Sequence, residues 1–276
     1  MFDILKRNKK LYGKFLAIIS GISGFKQEYS RFYQTKNGYQ TTDYGKKIKR
    51  FSNRYTAGRC FIIGNGPSLE GKDLEKLKDE IAFASNRIYN IYDKTNWRPT
   101  YYVAQDDRFL RSSINSVLTC EAESIFLPYN IEGIQIKDNN NIYRFFVDKT
   151  DRYPELPLFS EDASEQIYEC YTVTYSLLQL AVYMDFKEIY LLGMDHAYSV
   201  EAKADGTVVY NDVKDHFEGT EEVGGNQYLP STDKSTNAFI AAKKYADAHG
   251  IKIYNATRGG KLEVFERVNF DDIVKG

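Results

Sequence analysis

From residue 60 onward, short apolar runs rich in β-branched and aromatic residues recur, each bounded by polar positions. Runs of about four to eight such residues read as buried strands. They fall at Cys60–Gly64, Ile81–Ser85, Thr100–Gln105, Ser124–Pro128, Asn141–Val147, Glu188–Gly193 and Lys252–Asn255. Helical spacing appears between several of them, at Leu69–Lys78, Arg108–Leu118, Thr172–Met184 and Ser235–His249. The third of these, TVTYSLLQLAVYM, is apolar on nearly every side, which predicts deep burial. The fourth stops at Gly250, a residue suited to ending a helix. Strands alternating with helices predict an α/β fold: a Rossmann-like, mostly parallel sheet with helices on both faces. Ligands of such folds bind beyond the carboxyl ends of the strands. The residues directly after each strand are therefore the ones to inspect for chemistry.

Residues 26–58 are polar, Tyr-rich and weakly periodic, and read as a linker or irregular packing segment. The expected division is a basic N-terminal helical arm with its linker over 1–58 and an α/β domain over 59–276. Charge sharpens that division. The whole chain carries a net charge of -1, which excludes nucleic-acid binding by bulk charge. Its first 50 residues hold twelve Lys and Arg against three Asp and Glu, a net of +9, so the remainder carries -10. A basic arm on an acidic body implies an anionic partner for the arm. Leu11–Phe25 is apolar but short, broken by Lys14, and preceded by Lys6, Arg7, Lys9 and Lys10. It falls short of the roughly 18 residues that span a bilayer. No convincing small-residue cleavage site closes it. Two readings stay open: a helix packed on the domain with its lysines in water, or an amphipathic helix in residues 1–25 lying on an anionic membrane surface. Cys60, Cys120 and Cys170 are widely spaced with no CxxC or Cys/His cluster, which argues against a disulfide framework or a zinc site. A cytoplasmic protein is the expectation, peripheral at the inner face of the membrane under the second of these readings. Monomer and homo-oligomer both fit.

The strand ends carry the candidate chemistry. Gly64-Asn65-Gly66-Pro67-Ser68 follows the first strand. Its glycines permit close backbone approach, Pro67 suits a first helical turn, and free N–H groups there would face an anion. An ordinary tight turn is the bland alternative. Asn86 and Arg87 follow the second strand; Asn86 can donate and accept at once, as base or ribose recognition requires, or simply cap a helix. Gln105, Asp106 and Asp107 follow the third, where the carboxylates could meet a metal, a sugar hydroxyl or the next helix N-terminus. Gly193-Met194-Asp195-His196-Ala197-Tyr198 follows the strand at Glu188. A long polar stretch, about 199–233, comes next, with Tyr210, His216, Gly224, Gly225 and Tyr228 and a hairpin-like turn at Asp205-Gly206-Thr207. Long irregular stretches of this kind often act as lids. His196 and His216 are candidates for acid–base work because imidazole titrates near neutrality; His249 ends a surface helix and suits its dipole.

These residues, in this order, resemble bacterial lipooligosaccharide sialyltransferases, the central domain of flagellin-glycosylating motility accessory factors, and the MptE-like proteins. The likeness covers roughly residues 59–258 and rests most on GNGPSL, Ser85-Asn86-Arg87 and TVTYSLLQLAVYMDFKEIYLLGMDHAYS. It implies the GT-A-like sheet variant of the sialyltransferases. It implies that Gly64, Asn65, Gly66, Pro67 and Ser68 contact a CMP-linked donor and that Asn86 binds nucleotide or sugar. Asp106 falls where those enzymes place an amide beside the donor sugar. Thr172 and Thr174 would line the donor carboxylate and nucleotide, and Gly193 and Asp195 the ribose or base. Tyr198 and Tyr210 would hydrogen-bond the departing phosphate. Two positions depart from the pattern. Pro230 stands about where the base histidine is expected, leaving His216 as the nearest imidazole, and Glu169 and Cys170 replace an arginine.

Three readings follow. The first is a metal-independent, inverting glycosyltransferase that uses no cofactor. It would move a sialic acid-like or other nonulosonate sugar from a CMP-sugar donor to a glycan or lipid-linked acceptor, with His216 as base. The second is an MptE-like, ATP-dependent pyrophosphokinase with magnesium on Asp106, Asp107 and Asp195. The third is a non-catalytic nucleotide-binding protein.

Overall fold

The computed structural model describes residues 31–131, 133–137, 139–217 and 229–274. The chain forms two compact units, residues 1–43 and residues 44–276. The basic segment 1–25, together with Gly224, Gly225 and Tyr228, lies outside the described residues. In the first unit, residues 31–40 are helical. The second unit begins not at residue 59 but with helix α1, Tyr44–Lys49. Ile48 and Phe51 account for the difference. Both are buried in the core with Tyr101, Val103, Phe126 and Phe145, so this stretch packs into the domain, the second of the two readings given to it above. Among the described residues no helix is long and apolar enough to cross a membrane.

The sheet has eight strands in the order β12-β11-β8-β1-β2-β3-β4-β5. The strands are β1 (Gly58–Ile63), β2 (Ala82–Ser85), β3 (Tyr101–Val103), β4 (Ser124–Pro128), β5 (Ile142–Phe145), β8 (Phe186–Leu192), β11 (Lys252–Asn255) and β12 (Glu266–Arg267). Every pairing is parallel. All seven expected strands are present, displaced by a few residues at most. The sequence reading missed β12, a two-residue edge strand too short and polar to leave a pattern. It also missed the short parallel pair β6 (Val147–Asp148) and β7 (Ile167–Tyr168).

Side chains alternate across each strand, so β1 feeds two cores. Cys60 and Ile62 face one side, with α4 (Val173–Tyr183) and α5 (Thr232–Ala248). Phe61 and Ile63 face the other, with α2 (Gly71–Glu75), the 3₁₀ segment Asn86–Lys94, α3 (Asp107–Leu118) and α6 (Phe270–Ile273). Helices thus cover both faces. Helix α4 is buried from Thr174 to Ala181, as its all-round apolar pattern predicted. Thr172 caps its N-terminus, its hydroxyl accepting from Thr174 N–H.

The chain runs from β1 outward through β5, then returns to the opposite side of β1 as β8. The order therefore reverses between β1 and β8. A crevice opens at the carboxyl ends of a parallel sheet at such a switch point.

Candidate functional site

A cleft of about 760 Å³ lies at that switch point. It is walled by the segments after β1, β2, β3 and β8, by the start of α4, and by 149–151 and 215–216. Of the residues singled out from sequence, Gly64, Asn65, Gly66, Asn86, Arg87, Gln105, Asp106, Thr172, Thr174, Gly193, Asp195, Tyr198 and His216 line it. Pro67 and Ser68 do not. Tyr210 does not either: it sits on a hairpin of β9 (Val200–Ala202) and β10 (Val208–Tyr210) and is 79% exposed. The hairpin was legible from Asp205-Gly206-Thr207, but its strands point Tyr210 into solvent.

The turn after β1 behaves differently from a phosphate loop. Gly64 N–H donates to Leu192 C=O at 2.8 Å and Gly66 N–H to Gly193 C=O at 2.9 Å. Ser68 satisfies the Asp195 carboxylate with its hydroxyl at 2.7 Å and with its backbone N–H. Helix α2 begins only at Gly71 and is five residues long. Several donors expected to face a ligand anion are thus spent on joining the β1 and β8 loops. The glycines are needed for that junction. A Cβ on Gly64 would overlap Gly193 C=O, and one on Gly66 would overlap the Asp195 carboxylate.

What the turn offers is an acceptor. Asn65 Nδ2 donates to Ser85 C=O at 3.0 Å, which turns Oδ1 the other way. Asn65 Oδ1 is buried with no hydrogen-bond partner, and so is Asn86 Oδ1. Asn86 holds a left-handed backbone, φ 50°, and its C=O accepts from Tyr102 Oη at 2.7 Å. A buried polar atom without a partner costs about 1–3 kcal/mol, so two on one cleft are what a ligand bearing donors would satisfy. Arg87 lies 5.8 Å from the centre of the Phe109 ring and makes no ion pair among the described residues.

The carboxylates divide by environment. Asp106 caps α3, accepting from Phe109 N–H at 2.7 Å, so the capping reading of this residue holds. Asp107 pairs with Lys149 at 2.8 Å. Burial raises Asp195 above the ordinary carboxylate range, opposed by its bonds from Ser68. Burial pushes Glu169 up to about 7, with Lys149 opposing and Asp106 and Asp107 reinforcing. Glu169 entered the sequence reading only as a departure from a pattern. Nothing in its neighbours foretold a half-buried carboxyl, because its surroundings come from α3 and from β6. Among the described residues no three His, Cys, Asp or Glu side chains gather as a metal site.

His196 also lines the cleft. Its Nε2 is 2.8 Å from Thr236 Oγ1 and its ring meets Phe239 edge-on at 5.4 Å. Burial lowers its pKa to about 4, with Glu201 opposing and Lys203 assisting. The ring is therefore neutral in the folded protein at neutral pH. As pH falls below about 6.5 the unfolded chain takes up a proton there that the folded chain refuses until about 4. Stability is expected to fall across that window, and His196→Asn to flatten the fall. Denaturant titrations of both proteins at several pH values check this; parallel curves would refute it. Burial likewise pushes the Tyr198 phenol up to about 12, so it remains a hydrogen-bond donor at neutral pH.

Comparison with known proteins bears on this arrangement. No curated protein matches. A solved structure, that of MAf glycosyltransferase from Magnetospirillum magneticum AMB-1, is similar at 12% identity and a TM-score of 0.45. The similarity covers 86% of this chain but only 38% of that one. The family model described as 6-hydroxymethylpterin diphosphokinase MptE-like matches residues 33–201. That stretch runs from the helical residues 31–40 into β9 and carries every cleft-lining segment except 215–216 and those around α5. It is more than half of the sequence, and the chain belongs to this MptE-like family.

Proposed function

We propose that the cleft binds a nucleotide-activated donor and that the protein is a glycosyltransferase. In this reading it moves an acidic, nonulosonate-type sugar from a CMP-linked donor to a hydroxyl of a glycan or lipid-linked acceptor, with inversion and without a metal. The observation that carries it is the pair of unpartnered amide oxygens, Asn65 Oδ1 and Asn86 Oδ1, at the switch-point cleft. The exocyclic amine of cytosine and the ribose hydroxyls are donors of the kind these oxygens lack. Arg87 supplies an uncommitted cation for the donor's phosphate or carboxylate. Tyr198, a donor at neutral pH, and Thr172 stand on the same cleft, where hydrogen bonds to charge growing on the departing phosphate lower the barrier. The basic first 50 residues fit an enzyme held near an anionic acceptor or membrane surface.

The family's description supports a second reading, transfer of a diphosphate from ATP with magnesium. Asp106 and Asp107 stand on the cleft and could share a magnesium ion with substrate phosphates. Against it, one caps α3, the other pairs with Lys149, and Asp195 is taken up by Ser68.

A thermal-shift series with CMP, UDP, GDP and ATP, with and without magnesium, separates the two. Ligand at about 100 times its Kd stabilises the native state by about 2.7 kcal/mol. The expected result is a CMP response indifferent to magnesium, weakened about tenfold in affinity by Arg87→Ala. A response to ATP that needs magnesium would replace the first reading with the second.

A further inference from the structure

Six carboxylates line the cleft: Asp106, Asp107, Asp151, Glu169, Asp195 and Asp215. Five are committed. Asp106 caps α3, Asp107 pairs with Lys149, and Asp195 accepts from Ser68. Asp151 pairs with Lys234 at 2.7 Å and accepts from the Tyr171 hydroxyl. Asp215 accepts from the Ser199 hydroxyl at 2.8 Å and from Ser199 N–H. The Glu169 carboxyl alone makes no hydrogen bond or ion pair among the described residues.

The two cleft histidines are less suited to proton transfer. His196 is engaged with Thr236 and is a weak base in its buried site. No hydrogen bond among the described residues orients the His216 ring, which sits in a stretch of bends. Glu169 is held firmly by comparison. Its N–H donates to Asp148 C=O at 2.8 Å, it directly follows β7, and Thr172 caps α4 three residues on. Reactive groups on fixed backbone hold their geometry better than groups on loops.

We infer that Glu169, rather than His216, accepts the proton of the acceptor hydroxyl. The inference rests on the donor reading above. As the acceptor oxygen bonds to the anomeric carbon, the bond from that carbon to the nucleotide phosphate breaks and its electron pair leaves with the phosphate. The hydroxyl proton passes to a Glu169 carboxylate oxygen and from there to solvent. The products are the glycoside, CMP and a proton. The charged groups around Glu169 are Lys149, at the end of β6, and Asp106 and Asp107, at the start of α3; the first turn of α4 carries no charge. A base titrating near the working pH is the most effective. With burial holding Glu169 at about 7, its ionised form dominates above that pH. kcat/KM should therefore rise with pH through about 7.

The experiment follows CMP release from CMP-N-acetylneuraminate, with water or an added lactoside as acceptor, against pH. Glu169→Gln is expected to lose roughly 10²- to 10⁴-fold in kcat/KM together with the rising limb. Its thermal response to CMP should remain, which separates lost chemistry from lost folding or binding. Glu169→Asp should restore part of the rate. Carbon NMR of the labelled carboxyl, assigned by difference from Glu169→Gln, should titrate near neutrality. Near wild-type turnover in Glu169→Gln overturns the inference, as does a carboxyl titrating at the ordinary value of about 4.3. A limb that survives Glu169→Gln and vanishes in His216→Ala returns the role to His216. A wild-type protein that gives no response to CMP sinks the donor reading, and this assignment with it.

Discussion

Gly64→Ala is expected to lower the melting temperature by on the order of 10 °C and to abolish the response to nucleotide. The added Cβ would overlap Gly193 C=O and lie 2.8 Å from Met194 Sδ. The Met194 thioether ends a flexible side chain and can swing aside, but the Gly193 carbonyl is main chain and cannot give way cheaply. Gly193 C=O accepts the Gly66 N–H, and Met194 N–H donates to Thr257 Oγ1 at 3.0 Å. The contact is made by main chain on both sides, so relief requires parting the β1 and β8 loops. Overpacking of this kind costs about 1–3 kcal/mol where side chains can adjust, and the upper end applies where they cannot. For domains of roughly this size each kcal/mol moves the melting temperature by about 2–4 °C. The same displacement moves Asn65 off the cleft wall, which is why ligand response should go with stability. Gly58→Ala is the control. Its Cβ would meet only ordinary contacts, the nearest 3.5 Å away, and its melting temperature should stay close to wild type. Equal effects from the two substitutions would refute the close-approach argument.

Gln179→Leu is the second large effect. The side chain is fully buried in the middle of α4, where an apolar residue fits the pattern better. Its amide is saturated. Oε1 accepts from Ser160 N–H and Tyr168 N–H, each at 3.0 Å, and Nε2 donates to Tyr168 C=O at 2.8 Å and Tyr175 C=O at 3.0 Å. Leucine has a similar volume and none of these groups. It would strand two backbone N–H groups and the Tyr168 C=O, each worth about 1–3 kcal/mol when buried without a partner. A net loss of at least about 3 kcal/mol is expected after relaxation. Denaturant unfolding measures it, and hydrogen exchange locates it. The fastest new exchange should fall at Ser160 and at Tyr168, the last residue of β7. Because Glu169 directly follows β7, turnover should fall further than the unfolded fraction explains. Wild-type stability in this variant would show that the amide contributes little.

The parallel sheet and its two cores were legible because strand burial writes itself locally. Each strand needs its own run of apolar residues, and the all-round apolar α4 announced a helix covered on every side. The general position of the cleft was legible for a related reason. Residues after consecutive parallel strands must converge on one edge, and thirteen of the sixteen residues chosen for the site and its donor do line one cleft. Their hydrogen bonding was not legible. Gly64 and Gly66 look the same in sequence whether their N–H groups face a phosphate or a neighbouring carbonyl. Only the juxtaposition of β1 with β8, far apart in the chain, decides between them.

Charge shows the same division. The sequence alone determined that a basic beginning precedes an acidic α/β body and that Asp106, Asp107 and Asp195 follow strands. It could not show which carboxylates are already paired, since Lys149, Ser68 and Ser199 reach them from distant segments. Glu169 is the extreme case: an unremarkable residue between Tyr168 and Cys170 becomes a half-buried, unpaired carboxyl only when the β6–β7 pair, α3 and α4 close around it. Burial and Coulomb interaction act through space. A residue's place in the sheet can therefore be read from its sequence neighbours, while its protonation state is set by side chains that folding brings from elsewhere.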